Sequence, residues 1–247
     1  MPVQVSVSDA IATVTFGGTK GNSLPGALLR ELATTIETTA ARGDVNVIVL
    51  RSEGDGPFCA GASFDELKSI TDETTGKQFF LGFAGVILAM TRAPKPVIVR
   101  IQGKTVGGGV GVAAAADYAI AARGASIRLS ELAVGIGPFV VGPVIEHKIG
   151  RGPYSALALD ADWRDAEWAE RHGLFASVKE STKELDDAVA ALAQKLAKSN
   201  PEAVARIKRT VWANTDHWPQ LLDERAATSG KLVLSQFTRD AIANFNR

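Results

Sequence analysis

Gln102-Gly103-Lys104-Thr105-Val106-Gly107-Gly108-Gly109-Val110-Gly111 is the stretch on which the reading of this chain turns. An apolar run, Val97 to Ile101, leads into it, and an alanine-rich run, Val112 to Ala116, leads out. The glycines therefore sit where a strand hands over to a helix. Glycine lets backbone approach a ligand closely. The first N–H groups of a helix lack intrahelical partners, and that end is partly positive. Three glycines opening a helix thus offer bare donors to an anion or a developing oxyanion.

Other readings compete. Gly103-Lys104-Thr105 ends like a P-loop, but that motif needs a glycine where Ile98 stands. Gly109-Val110-Gly111-Val112-Ala113-Ala114 fits a dinucleotide fingerprint with Glu131 downstream. There the strand ends too early for the tight turn that motif requires. A glycine-rich packing turn is the plain alternative.

The 247 residues suit one large domain or one domain with an appendage, and 46% hydrophobic residues are enough for a substantial core. The formal net charge of zero gives no global reason to expect nucleic acid or an anionic membrane as partner. Cys59 is the sole cysteine, and His147, His172 and His217 are scattered, so neither a disulfide nor a metal site is expected. Met1 runs straight into strand-like sequence, and no apolar run approaches ~18 residues. A cytoplasmic location is the expectation.

Outward from the glycines, the pattern is α/β. Val3 to Val7 and Ile11 to Phe16 read as a hairpin around Ser8-Asp9-Ala10. Leu24-Pro25 opens a helix to about Ala41, and Val45 to Leu50 is a buried strand. Phe58-Cys59-Ala60-Gly61-Ala62-Ser63 follows, with Ser63 and Glu66 at capping-box spacing. Ala60-Gly61-Ala62 is thus a second strand-to-helix loop of little bulk, placed to face the glycine run across one site. A helix over about Thr75 to Thr91 separates the two loops, ended by Pro94 and Pro96.

Beyond the glycines come short strands at Ala116 to Ala121 and Ser126 to Leu129, then Ser130-Glu131 before the apolar run Leu132 to Val141. A glutamate in such surroundings is a candidate for a raised pKa and acid–base work. The alternative is a charge at a helix start behind a serine cap. Gly142 to Leu159 reads as two helical pieces, Arg164 to Arg171 as a short helix, and Phe175 to Val178 as a strand. From Thr182 the chain is nearly all helix: one with Leu185, Val189, Leu192 and Leu196 as its stripe, one from Pro201 with Ala205, Ile207 and Val211 toward the core, then Trp218 to Leu234 and Thr238 to Phe245.

Taken together these stretches resemble the crotonase, or enoyl-CoA hydratase/isomerase, superfamily. The resemblance rests on Asn22-Ser23-Leu24, Val47 to Leu50 with Phe58 to Ser63, Gln102-Gly103 through Gly109, Ser130-Glu131 with Gly135-Ile136-Gly137-Pro138, Arg164 to Ala169, and Gly173-Leu174. It implies an α/β spiral of ββα units (residues 1–180) with a helical C-terminal trimerisation region (residues 181–247). It implies a homotrimer or dimer of trimers, and an acyl-CoA thioester as substrate. Coenzyme A is then part of the substrate, and no metal or redox cofactor is needed. The N–H groups of Ala62 and Gly108 would hold the thioester oxygen, and Glu131 would be the acid/base. Leu24, Ala60, Ser63, Phe64, Asp65 and Gly107 complete the implied substrate-binding set. Phe64, Phe80, Phe83 and Phe139 are candidates for an acyl pocket, and Lys20, Arg30 or tail lysines of a neighbouring subunit for the CoA phosphates.

One departure matters. Two-glutamate hydratases carry a glutamate two residues after the Gly-Gly-Gly run, where this chain has Gly111, and some isomerase relatives carry an acid where Phe139 stands. A single carboxylate suits moving a proton between two carbons, hence a 3,4-to-2,3 double-bond shift. Relatives with Gly-Gly-Gly-Val-Gly include methylglutaconyl- and other branched enoyl-CoA hydratases, which keeps hydration open. A non-catalytic acyl-CoA-binding relative and a dinucleotide-dependent oxidoreductase are the further alternatives. Acyl length and pathway stay open.

Overall fold

The computed structural model describes residues 3–244. The expected division reaches residues 1–2 and 245–247, and the last expected helix reaches Phe245; these lie outside the described residues.

The hairpin forms as its alternation predicts. Strands β1 (Gln4–Ser8) and β2 (Ile11–Phe16) pair antiparallel. Asp9 and Ala10 make the turn with φ of 53° and 61°. A short helical turn α1 (Thr19–Asn22) and helix α2 (Gly26–Ala41) lead to β3 (Val47–Ser52). Then come α3 (Phe64–Ser69), α4 (Glu73–Arg92), β4 (Val97–Ile101), β5 (Thr105–Val106), α5 (Gly108–Ala114), β6 (Tyr118–Ala122) and β7 (Ser126–Arg128). A 3-10 turn at Leu132–Val134 precedes α6 (Gly142–Ile149), α7 (Arg151–Asp160), β8 (Arg164–Asp165), α8 (Ala166–Arg171) and β9 (Ser177–Lys179). The chain closes with α9 (Thr182–Ala197), α10 (Pro201–Val211), α11 (Trp218–Leu232) and α12 (Gln236–Asn244).

The main sheet has the order β1-β2-β3-β4-β6-β9 and is parallel from β2 onward. Parallel strands must be covered on both faces, which is why β3 and β4 read as continuous apolar runs. The inner face (Ala12, Val14, Phe16, Ile48, Leu50, Val99) packs under the helices in the principal core. The outer face (Val47, Val49, Ile98, Ile120) packs with Leu185 and Val189 of α9. Strands β5, β7 and β8 form a second small sheet, and single bridges join Leu24 to Ala62 and Cys59 to Thr105.

Two expectations are corrected. Helix α10 does not turn Ile207 and Val211 inward: they are 64% and 49% exposed. The inward position belongs to Lys208, whose ammonium donates to the carbonyls of Met90 (2.7 Å) and Lys95 (2.9 Å) and pairs with Asp117 at 2.7 Å. A buried ammonium with that many partners outweighs two aliphatic side chains left on the surface. The capping box is only half formed. Ser63 Oγ accepts from Glu66 N–H (3.4 Å), but the Glu66 carboxylate accepts instead from Gly26 N–H at 2.7 Å, tying α3 to α2.

Helix α11 lies on α4 so closely that a side-chain carbon on Gly76 would stand 2.8 Å from the Gly230 carbonyl oxygen. Only glycines allow that crossing. No helix among the described residues is long and apolar enough to cross a membrane.

Candidate active site

The two small-residue loops lie side by side. Cys59 N–H donates to Lys104 O (3.2 Å) and Val106 N–H to Cys59 O (2.8 Å). Leu24 pairs with the first loop in the parallel manner: its N–H donates to Gly61 O at 2.8 Å and its carbonyl accepts from Ser63 N–H at 3.2 Å. In such a ladder the residue between those two points its own N–H away from the partner strand. Ala62 therefore directs its donor away from Leu24. Gly61 has φ of +87°, and a side-chain carbon there would lie 2.9 Å from Val106 O, so glycine is needed.

Gly107 turns the second loop with φ +54° and ψ −120°, and its N–H donates to Arg128 O at 2.8 Å. Gly108 then begins α5, so its N–H has no partner within the helix. A side-chain carbon on Gly108 would overlap the Phe83 ring, which closes this end of the cavity.

Ala62 and Gly108 line one cavity of about 570 Å³ of empty space, open solvent included. Glu131 lines it too. The residue is half-buried overall, but Oε2 is shut off and has no hydrogen-bond partner. Its Oε1 lies by Gly107, where an added side-chain carbon would come within 3.1 Å. Burial pushes the carboxyl up to about 7, which makes it a usable acid and base near neutrality. The capping alternative is not realised, because the Glu131 side chain caps no N–H of the turn behind it. That turn is held through the backbone, with the Glu131 carbonyl accepting from Ile136 N–H at 2.9 Å.

Phe64, Phe80, Phe83 and Phe139 all line the cavity, as do Ala60 and Gly107. The rest of the expected set stands elsewhere. Leu24 is fully buried and serves through its backbone ladder. Ser63 caps α3 and faces a neighbouring cleft. Asp65 lies at the groove mouth, paired with Lys20 at 2.5 Å. Arg30 is exposed on α2. Cys59 is buried, its thiol pushed up to about 12, so it stays neutral. Among the described residues no group of three or more His, Cys, Asp or Glu side chains is placed to hold a metal.

The cavity continues, past Ala62 and Ser130, into a groove that reaches Lys20, Arg128 and Trp163. Arg128 and Lys104 lie over the Trp163 ring at 5.9 and 5.3 Å. Sequence reasoning missed Arg128 and Trp163. Strand alternation could have placed Arg128 on the same side as Ser130. Gly111 is packed shut: a side-chain carbon there would come within 2.5 Å of Val141 Cγ1. No second acid fits at that position while Val141 holds its place.

Comparison with known proteins identifies the family. The family model described as enoyl-CoA hydratase/isomerase matches residues 6–241. The chain belongs to that family. A mitochondrial methylglutaconyl-CoA hydratase from Rattus norvegicus is 32% identical over 168 residues, 68% of this chain. The match spans only about half of that relative, 53% of its length. A short-chain-enoyl-CoA hydratase from Clostridium acetobutylicum is 29% identical over 203 residues, covering 81% of this chain and 77% of the relative. The crystal structure of an enoyl-CoA hydratase from Bacillus halodurans superposes with a TM-score of 0.91 at 20% identity, covering 98% of this chain and 99% of that one. The fold is therefore the crotonase fold.

Proposed function

We propose that this family member hydrates an enoyl-CoA, with Glu131 as the single acid/base and the N–H groups of Ala62 and Gly108 as oxyanion hole. The observation that carries the reading is the unpaired, buried Glu131 carboxyl in the same apolar cavity as those two donors. Each such donor is worth about 2.7–4 kcal/mol toward a developing oxyanion. The ionised carboxylate takes a proton from water. The hydroxide oxygen bonds to C3 while the double-bond electrons pass to the thioester oxygen as an enolate. Glu131 then returns its proton to C2. The reaction draws on no metal or redox cofactor.

The sealed position at Gly111 favours a second reading, isomerisation of a 3-enoyl-CoA. Glu131 would take a proton from C2 and return it at C4, through the same enolate and with no water to hold. Incubation with crotonyl-CoA and, separately, a 3-enoyl-CoA distinguishes the two. Loss of the conjugated enoyl-thioester absorbance from crotonyl-CoA supports hydration. Gain of it from the 3-enoyl substrate alone supports isomerisation. Binding of both without change would leave an acyl-CoA-binding relative. In either reaction Glu131 starts ionised, so kcat/KM should rise with pH and level off above about 7. The family resemblance is the ground for a trimer or dimer of trimers, and the outward Ile207 and Val211 on α10 leave apolar surface open to such a contact.

A further inference from the structure

Two arginines lie side by side on the outer face of the main sheet. Arg51 of β3 and Arg100 of β4 are register partners on adjacent parallel strands. Their side chains therefore leave the same face about 4.8 Å apart at the backbone. The face around them is apolar and covered by α9. Arg100 is only 2% exposed. Asp186 of α9 accepts from its Nε and Nη2 at 2.6 and 3.2 Å. Arg100 Nη1 and Arg51 Nε are buried with no hydrogen-bond partner among the described residues.

Both arginines line a cleft of about 750 Å³ of empty space, open solvent included, which Ser6 and Thr13 of the neighbouring strands also line. Asp186 pairs with Arg100. The other acid of the cleft, Asp9, accepts from Ser8 Oγ at 3.0 Å in the β1–β2 turn. That turn lies beyond the Ile11–Val47 pair. Val47 is four residues along β3 from Arg51, about 13 Å at the ordinary rise. Buried donors without acceptors are costly, and a protein that keeps two together gains when an acceptor arrives.

We propose that this cleft binds a phosphate-class oxyanion between Arg51 and Arg100. Guanidinium forks match phosphate oxygens, and here donors converge from two strands. The site lies across the sheet from the catalytic cavity and stands whether or not the proposed reaction is right.

The test is calorimetric titration of the full chain with sodium phosphate at ionic strength held constant with sodium chloride, with thermal melts alongside. Saturable binding is expected, and a rise in Tm of about 3–6 °C at ten times the dissociation constant. Arg51→Gln should abolish the binding. Arg51→Lys, which keeps the charge but loses the fork, should weaken it about tenfold or more. Thr13→Val leaves both charges in place and should weaken it severalfold, which keeps the idea testable if the Arg51 variants fold poorly. Glucose 6-phosphate separates the sources: binding of both probes assigns phosphomonoesters, binding of inorganic phosphate alone assigns the free anion. Phosphate also stabilises proteins by exclusion, so the calorimetric signal decides. No saturable heat, or equal heat from wild type and Arg51→Gln, overturns the proposal. So does binding lost in Lys20→Gln but kept in Arg51→Gln, which would move the anion to the groove mouth.

Discussion

Ala62 and Gly108 both line the cavity, but different contacts hold them. The first loop is a strand fragment, fixed by two hydrogen bonds to Leu24 on either side of the donor. The second is a helix start, set by the backbone turn at Gly107 and closed in by the Phe83 ring. The two loops are also joined to each other, by Cys59 N–H to Lys104 O and Val106 N–H to Cys59 O. Glu131 sits against the second loop, at Gly107. The carboxyl and Gly108 therefore stand on one element and Ala62 on another.

The largest expected effect is beside the second loop. Glu131→Gln should lower turnover by about 10²–10⁴ while leaving acyl-CoA binding near wild type. Equal turnover in both proteins would remove the acid from the mechanism. At the first loop, Ala62→Pro deletes the donor but neither bond to Leu24, which go through Gly61 O and Ser63 N–H. A fall of about 10²–10³ in kcat is expected. A change confined to KM would mean that the first loop only binds.

Next comes stability. The Glu131 carboxyl is raised to about 7, so the folded state holds its proton more tightly than the unfolded chain does. The contribution is fully present below the unfolded value near 4.5 and is lost as pH rises through about 7. Glu131→Gln should therefore be more stable than wild type at pH 8, by about 3 kcal/mol at most, and indistinguishable from it at pH 4. Melting curves at both pH values check this, and a gain that is the same at both would point to packing instead. Smaller still, Gly111→Glu should cost about 1–3 kcal/mol by forcing aside Val141. Val141→Ala in that background should recover part of the loss, as a double-mutant cycle would show. Full stability of the single variant would show that Val141 yields without cost.

How legible each loop was in the sequence follows the same division. The second was plain, because three successive glycines after an apolar run have few uses. The first was visible through its small residues and the Ser63 cap, but the partner of Glu66 was not. Gly26 lies forty positions earlier in the chain, and no local spacing reports such a contact. Glu131 could be suspected from its apolar neighbourhood, yet only the folded chain shows that its side chain caps no N–H of the turn behind it. Periodicity misplaced α10, because Lys208 counts as polar and outward in any pattern until Asp117 is known to wait beneath it. Arg128 and Trp163 escaped for the same reason: they meet through β7 and the segment before β8, not through any motif.

The crossing of α4 and α11 at Gly76 and Gly230 bears on the order in which the molecule assembles. The contact joins positions more than 150 residues apart, the kind of closure that slows folding. Ser229, next to Gly230, lines the catalytic cavity. The hairpin forms from adjacent residues and the parallel strand pairs close shorter loops than this one, but the cavity wall is complete only after the tail has returned to α4. Refolding followed by far-ultraviolet signal should therefore run ahead of recovered activity. A nascent chain should likewise stay inactive until its last helices have left the ribosome.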